Sequence, residues 1–211
     1  WGLAMGLLER SWFMRCIENL LIDLIEEPQF VNDLLDGITE VHIRFMDTMV
    51  KYIPIDAYFG GDDMCDQRGC IMGEDRWREF FKPRLKKIVE HCHSLGLPYV
   101  LHSCGNVLPL VDDLMEIGVD GLESLQPEAM NVYELKEKTA GKMVLIGGMG
   151  VQKLLYFGTP DEIKLETARL IDELGKGGGY IISPAKALDG EPAENAAAFI
   201  EALTGQAQRS I

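Results

Sequence analysis

The sequence predicts an α/β fold in which helices cover a parallel sheet. Short apolar runs recur along the 211 residues, and each run is followed by a stretch with helical periodicity. These runs do not alternate with polar residues, which is typical of strands that are buried on both faces. With 47% hydrophobic residues the chain can form a substantial core, and its length fits a single domain over residues 1–211.

The first part of the chain predicts helices. Apolar residues recur at three- and four-residue steps from residue 3 to 25, which predicts one or two helices there. Pro28 fits the first turn of a long helix, because a proline at that place loses no helical hydrogen bond. Another long helical pattern covers residues 74–95, and Pro83 should kink it or divide it in two.

Five apolar runs predict five strands, and glycine or proline residues bound most of them. The clearest helix start is Thr159-Pro-Asp-Glu162, which combines a capping hydroxyl, a proline at the first helical position and a glutamate at the third. We expect the strands at residues 55–59, 99–101, 119–124, 143–147 and 180–183. The helices after them are expected at residues 74–95, 108–117, 131–139, 159–174 and 192–203.

Two architectures fit this alternation: an open doubly wound sheet and a (β/α)8 TIM barrel. Five strands do not close a barrel of eight. Polar residues nevertheless follow several of the strands, and barrels assemble their active sites from the C-terminal ends of many strands in this way. We therefore predict the barrel. The polar residues concerned are Asp62, Asp63, His102, Cys104, Glu123, Gln126 and Lys186.

The composition argues against several classes of protein. Lys and Arg number 20 and Asp and Glu 34, and the net charge of -14 disfavours a nucleic-acid partner, because phosphate contacts need clustered basic residues. Five cysteines, an odd number, do not suggest a disulfide framework, so a cytoplasmic location is predicted. No apolar stretch is long enough to span a membrane, and no membrane association is expected.

His102 and Cys104 form the most informative local pattern. They lie two residues apart at the end of the strand predicted at 99–101, so their side chains should point to the same side. A neutral imidazole and a thiolate are ligands that suit zinc, but a catalytic zinc site needs about three protein ligands and one open position. A third ligand therefore has to come from elsewhere in the chain.

Several motifs follow one another along nearly the whole chain. They are Gly61-Asp-Asp63 with Gln67 and Gly69, Glu79 to Pro83, His102 to Gly105, Gly178 to Pro184, and Pro192 to Asn195. Together and in this order they resemble the motifs of the uroporphyrinogen decarboxylase superfamily. Within it, the His-x-Cys pattern of His102 and Cys104 resembles the cobalamin-dependent methyltransferase branch more than the true decarboxylases.

The resemblance implies a (β/α)8 barrel that is longer than this chain. The five predicted strands would be the fourth to the eighth of that barrel, so the chain would be a C-terminal portion with about five of eight strands. Such a portion would expose apolar strand edges, which the N-terminal segment or another chain would have to cover. Formation of a homo-oligomer is therefore left open.

The resemblance also implies a zinc site. In the methyltransferase branch, zinc is bound by the His and the Cys of the His-x-Cys pattern, here His102 and Cys104, and by a further cysteine just after the eighth strand. This chain has Lys186 near the third position, and a lysine is not an equivalent ligand at neutral pH. Glu123 and Cys65 are the candidates that could replace it.

The predicted function is zinc-assisted transfer of a methyl group between a small molecule and a corrinoid (cobalamin) cofactor. Asp62 and Asp63 would position the substrate, and Glu123 would act as a base or a ligand. Gln126 and Lys186 are the expected substrate-binding residues. The chain has no Asp-x-His-x-x-Gly cobalamin motif, so the corrinoid would arrive on a separate carrier protein.

Two alternative functions stay open. One is the metal-independent decarboxylation of uroporphyrinogen in porphyrin biosynthesis, although the decarboxylases carry a histidine after the last strand where this chain has Pro184-Ala-Lys186. In that case His102 and Cys104 would have no assigned role. The other alternative is a truncated barrel that binds or assembles without catalytic activity.

Overall fold

The computed structural model describes residues 2–186, 188 and 190–207 of the chain. Its strands are β1 (Gly2–Leu3), β2 (Tyr58–Gly61), β3 (Tyr99–His102), β4 (Gly121–Leu125), β5 (Val144–Met149) and β6 (Tyr180–Pro184). Its α-helices are α1 (Leu7–Arg15), α2 (Ile17–Glu26), α3 (Pro28–Tyr52), α4 (Glu74–Arg76), α5 (Lys82–Ser94), α6 (Val111–Glu116), α7 (Val132–Thr139), α8 (Leu154–Phe157), α9 (Pro160–Leu174) and α10 (Ala193–Ala207).

The six strands form one sheet in which their order is the order of the chain. The pairs β1–β2, β2–β3 and β5–β6 are parallel, and in the second pair Gly61 lies opposite His102. Helices connect consecutive strands, as parallel pairing requires. The predicted α/β class is confirmed, and the arrangement is that of part of a (β/α)8 barrel.

The predicted count of five strands was wrong, because β1 is a sixth. It overlaps at Leu3 with the stretch, residues 3–25, that the apolar periodicity assigned to helix. A strand of two residues is too short to show any periodicity of its own, and only its pairing with β2 reveals it. The helical prediction holds after it, with α1 and α2 separated at Cys16, whose φ is 65°.

The second correction concerns β2. The strand was predicted at residues 55–59 and closed by Gly60 and Gly61, but β2 runs from Tyr58 to Gly61 and includes both glycines. Gly60 lies against the hydroxyl of Tyr99, where any side chain would overlap the ring. The glycine is thus a packing requirement within the strand and not a stop signal.

The helix predicted over residues 74–95 is interrupted as expected. A π-helical turn, Trp77–Phe81, separates α4 from α5, and Pro83 lies in the first turn of α5. Proline has no N–H to donate to the preceding turn, which accounts for a change of hydrogen bonding just before it. The buried rings of Trp77 and Phe81 anchor this turn in the core.

The helix start predicted at Thr159 is confirmed in detail. The Thr159 hydroxyl accepts the backbone N–H of Glu162 at 3.3 Å, and the Glu162 carboxylate accepts the backbone N–H of Thr159 at 2.7 Å. This reciprocal arrangement is a capping box, with Pro160 at the first helical position. Asn131 likewise caps α7, because its side chain accepts the backbone N–H groups of Tyr133 and Glu134.

The chain divides into two compact units, residues 1–122 and 123–211. The first contains α1 to α6 with the strands β1 to β3, and the second contains α7 to α10 with β5 and β6. The single domain expected over residues 1–211 stays a prediction. Across the described residues, no helix is long and apolar enough to cross a membrane.

Candidate metal centre

His102 and Cys104 lie at the C-terminal end of β3. His102 is the last residue of the strand and Cys104 is in the turn that follows it. Their Nε2 and Sγ atoms are 3.6 Å apart, and both side chains are half-buried. The prediction that they point to the same side is therefore confirmed.

Asp63 completes a cluster of three with these two residues. Its Oδ1 atom lies 3.5 Å from His102 Nε2 and accepts the backbone N–H of Cys104 at 2.8 Å. Asp63 comes two residues after Gly61, which is opposite His102 in the parallel register of β2 and β3. One ligand atom from each residue lies within 4.8 Å of the others. The register of two strands thus brings together ligands 39 and 41 positions apart.

The cluster fits a zinc ion by distance and by chemistry. Zinc bonds of about 2.0 to 2.3 Å in a tetrahedral arrangement place neighbouring ligand atoms about 3.3 to 3.8 Å apart. The two measured separations from His102 Nε2, 3.6 Å to Cys104 and 3.5 Å to Asp63, fall in that range. An imidazole, a thiol and a carboxylate are also ligand types that zinc accepts, and three leave a fourth position open.

The turn after β3 is held by backbone contacts with the segment that follows Asp63. The Ser103 hydroxyl accepts the N–H of Met64 at 3.2 Å, and the N–H of Asn106 donates to the carbonyl of Asp66 at 2.8 Å. Gly105 has φ 83°, and a Cβ there would lie 2.6 Å from the Asp66 carbonyl oxygen. Only glycine allows this close approach.

Asp62 points away from the cluster. Its buried carboxylate accepts the backbone N–H groups of Leu8 and Glu9 at 3.0 Å, at the start of α1. Burial raises the pKa of Asp62 to about 7, against the effect of these hydrogen bonds, which lower it. The sequence predicted Asp62 and Asp63 as a pair that positions substrate. The structure gives Asp62 a contact with a helix terminus, and the positioning of substrate by this pair stays a prediction.

A cavity of about 410 Å³ opens beside His102. Glu9, Phe59 and Met5 line it together with His102, and Gly2, Ala4 and Gly61 form the rest of its wall. Burial and the nearby Asp63 raise the pKa of Glu9. Sequence reasoning missed Glu9 because it follows β1, the strand that was not predicted. Recognition of that strand would have placed Glu9 after a strand end.

Cys65, one of the expected replacement ligands, lies elsewhere. Its thiol is buried, and the residue pairs with Cys70 across a short antiparallel bridge. Burial raises the pKa of the Cys65 thiol far above its ordinary range. Among the described residues, Cys65 is not in the cluster formed by Asp63, His102 and Cys104.

The other predicted site residues belong to the second unit. Glu123 is half-buried in β4, and Gln126 is buried one residue after that strand. Gln126 accepts the backbone N–H of Ala129 through its own carbonyl at 3.0 Å. Lys186 is exposed, two residues after β6. Their roles as base, ligand or substrate contacts stay predictions.

The family follows from comparison with known proteins. A sequence model described as Uroporphyrinogen decarboxylase (URO-D) matches residues 9–205. The chain belongs to this family. The match covers nearly all of the described residues, and the turn after His102 lies within it. It confirms the family resemblance that the motifs indicated.

Relatives of this URO-D family member are named for two different activities. The methylcobamide:CoM methyltransferase MtaA of Methanosarcina barkeri is 26% identical over 160 residues, which are 76% of this chain and 44% of that protein. A uroporphyrinogen decarboxylase of Pseudoalteromonas translucida is 25% identical over 187 residues, 84% of this chain and 49% of that protein. The chain spans about half the length of the curated relatives it matches.

A solved structure supports the fold. The structure of a methyltransferase from Methanosarcina mazei superposes with a TM-score of 0.78 at 24% identity, over 97% of this chain and 58% of that chain. At this level of identity the similarity establishes the shared architecture and not the activity. It is consistent with six parallel strands that form part of a barrel.

Proposed function

We propose that this URO-D family member is a zinc-dependent methyltransferase, with zinc bound by Asp63, His102 and Cys104. The observation that carries the proposal is the cluster of these three side chains at the ends of β2 and β3. Relatives named as methyltransferases, among them one whose name includes a methylcobamide, support methyl transfer. The methyl group would pass between a small molecule and a corrinoid on a carrier protein.

Each of the three residues has a distinct part in the proposed site. His102 and Cys104 supply nitrogen and sulfur, and Asp63 supplies a carboxylate oxygen while its Oδ1 also holds the Cys104 backbone N–H. Zinc bound there would lower the pKa of a substrate thiol or polarise an oxygen of a methyl donor. The fourth ligand position of a zinc ion bound there would be open to the substrate.

Glu9 extends the proposed site into the adjoining cavity. The cavity of about 410 Å³ is large enough for a small organic substrate and lies directly against His102. Since burial and the nearby Asp63 raise the pKa of Glu9, its carboxyl holds a proton more readily than that of an exposed glutamate. We assign to Glu9 the proton that a thiol substrate releases when it binds.

Zinc binding tests the proposed set of three ligands. We expect the chain to bind zinc in a near-stoichiometric amount, and His102→Ala, Cys104→Ser and Asp63→Asn to weaken binding by about 100-fold or more, because each removes one of three ligands. Competition with a chromophoric chelator measures the affinity. The matched controls are His93→Ala and Cys16→Ser, an exposed imidazole and an exposed thiol that should leave zinc binding unchanged.

The variants also separate the candidate third ligands. If Asp63→Asn keeps zinc while Glu123→Gln or Cys65→Ser loses it, the third ligand is one of those two residues and not Asp63. Unchanged zinc binding in both His102→Ala and Cys104→Ser would remove the zinc site from the proposal altogether.

Decarboxylation of uroporphyrinogen is the second candidate function. It is favoured by the relatives of that name, which match this chain at identities similar to those of the methyltransferases. Two assays on a longer protein that contains this sequence distinguish the two functions. Methylation of a thiol by methylcobalamin supports the first, and turnover of uroporphyrinogen in the absence of zinc supports the second. Activity in neither assay would favour a barrel portion without catalytic function.

A further inference from the structure

Cys65 and Cys70 face each other in a short hairpin after Asp63. They form an antiparallel bridge, and the backbone hydrogen bonds on either side of it run from Ile71 to Met64 at 3.0 Å and from Asp66 to Gly69 at 2.9 Å. Cys65 and Cys70 are therefore a directly opposed, non-hydrogen-bonded pair that lies between these two hydrogen bonds.

That position has the spacing that a disulfide requires. Directly opposed residues of a non-hydrogen-bonded antiparallel pair have Cα atoms about 4.5 Å apart and side chains on the same face. A disulfide forms between residues with Cα atoms about 4.4 to 6.8 Å apart. Cys65 and Cys70 are not bonded to each other, so they form a dithiol in a backbone pairing of the kind that accepts a disulfide.

The hairpin is held in this geometry by its own turn. The Asp66 carboxylate accepts the backbone N–H groups of Arg68 at 2.7 Å and Gly69 at 3.1 Å. An aspartate that binds the backbone two and three residues later stabilises such a turn. The turn therefore keeps Cys65 and Cys70 opposite each other in the folded protein.

The two thiols differ in access, which sets the order in which they would react. Cys65 is buried, whereas Cys70 is half-buried and lines an open cavity of about 450 Å³. Arg68 and Asp66 line the same cavity. A small disulfide from solvent can thus reach Cys70. The buried Cys65 can react only with the neighbouring Cys70.

We propose that Cys65 and Cys70 form a reversible intramolecular disulfide by exchange with a small-molecule disulfide such as oxidised glutathione. The Cys70 thiolate attacks one sulfur of oxidised glutathione, which releases one reduced glutathione and leaves a mixed disulfide on Cys70. The Cys65 thiolate then attacks the Cys70 sulfur and releases the second reduced glutathione. Two protein thiols are oxidised, one glutathione disulfide is reduced to two thiols, and the two protons pass to these thiols.

The hairpin touches the turn that carries Cys104. The Cys65 carbonyl lies against Gly105, and the Asp66 carbonyl accepts the Asn106 N–H at 2.8 Å. A bond between Cys65 and Cys70 therefore forms beside the candidate metal centre while it leaves Cys104 itself unmodified. The inference is independent of zinc and of methyl transfer, since it rests only on the geometry of the hairpin.

Peptide mapping tests the proposal on the full chain. The reduced protein is incubated with oxidised glutathione at mildly alkaline pH, because burial raises the pKa of Cys70 to about 11, and free thiols are then alkylated. Trypsin cleaves after Arg68, between the two cysteines, so the disulfide must join peptide 52–68 to peptide 69–76. We expect this linked pair, lighter than the sum of both peptides by two hydrogen atoms, to disappear on reduction.

Single substitutions test the order of reaction. In Cys65→Ser the mixed disulfide on Cys70 has no resolving thiol, so a glutathione adduct should accumulate there. In Cys70→Ser the buried Cys65 should remain unmodified in the folded protein. Alkylation of both cysteines after oxidant treatment of the unsubstituted chain would overturn the proposal. So would linkage of either one to Cys104, which lies in a different tryptic peptide.

Discussion

Neighbouring residues on an extended chain point in opposite directions, and Asp62 and Asp63 have different environments for this reason. Asp62 accepts the N–H groups at the start of α1, while Asp63 reaches His102 and Cys104. Their shared side-chain chemistry suggested a shared role in the sequence. Alternation along the strand end places Asp63, and not Asp62, with the candidate ligands His102 and Cys104.

His42 is a residue whose pKa is set mainly by burial. It is buried in α3 with Nδ1 3.4 Å from the Tyr58 hydroxyl, and desolvation lowers its pKa from the ordinary 6.5 to about 4. The unfolded chain therefore takes up a proton first as the pH falls. As the pH is lowered from 6.5 to about 4, the free energy of unfolding should decrease by at most about 3 kcal/mol, and it should then level off.

Urea titrations at several pH values check this, with His42→Gln compared to the unsubstituted chain. The substitution should remove this part of the acid sensitivity, whatever it does to stability at pH 7. His93→Gln, which removes an exposed imidazole beside Asp120, is the control and should keep the acid sensitivity. An identical pH dependence in His42→Gln and the unsubstituted chain would show that His42 does not titrate in this way.

At the scale of elements, the candidate metal centre depends on one turn. The four residues Ser103 to Asn106 follow β3 and lie on the hairpin that contains Cys65 and Asp66. Gly105 makes this contact possible through a positive φ and the lack of a side chain. The turn, and not the strand, therefore determines where the Cys104 sulfur lies.

Gly105→Ala should weaken zinc binding and destabilise the protein. Its Cβ would overlap the Cys65 and Asp66 carbonyls and push the turn away from the hairpin. Gly96→Ala is a matched control, because Gly96 has φ 76° and no atom within 4 Å of its Cβ position. The control should lose about 1–2 kcal/mol from backbone strain alone and keep its zinc affinity.

Zinc titration and urea unfolding of both variants decide the matter. If Gly105→Ala matches Gly96→Ala in stability and in zinc affinity, the close contact at Gly105 does not position Cys104. A larger loss of stability together with at least about tenfold weaker zinc binding in Gly105→Ala is the expected result.

At the scale of the whole molecule, the sequence predicted what local patterns can encode. Alternating apolar and helical stretches gave the α/β class, and motif order gave the family, which the match over residues 9–205 confirms. β1 was missed because two residues carry no period, and the place of Asp63 was missed because it depends on the register of β2 with β3. The pairing of two distant segments cannot be predicted from the local pattern of either segment alone.

The same register makes a prediction about the whole chain. The three candidate ligands lie within residues 63–104 of the first unit, although the chain spans about half the length of its curated relatives. The 211-residue chain should therefore bind zinc by itself, with an affinity within about tenfold of that of a longer protein containing it. Parallel competition titrations measure both affinities. Binding that is about 100-fold tighter in the longer protein would mean that a further ligand lies outside this sequence.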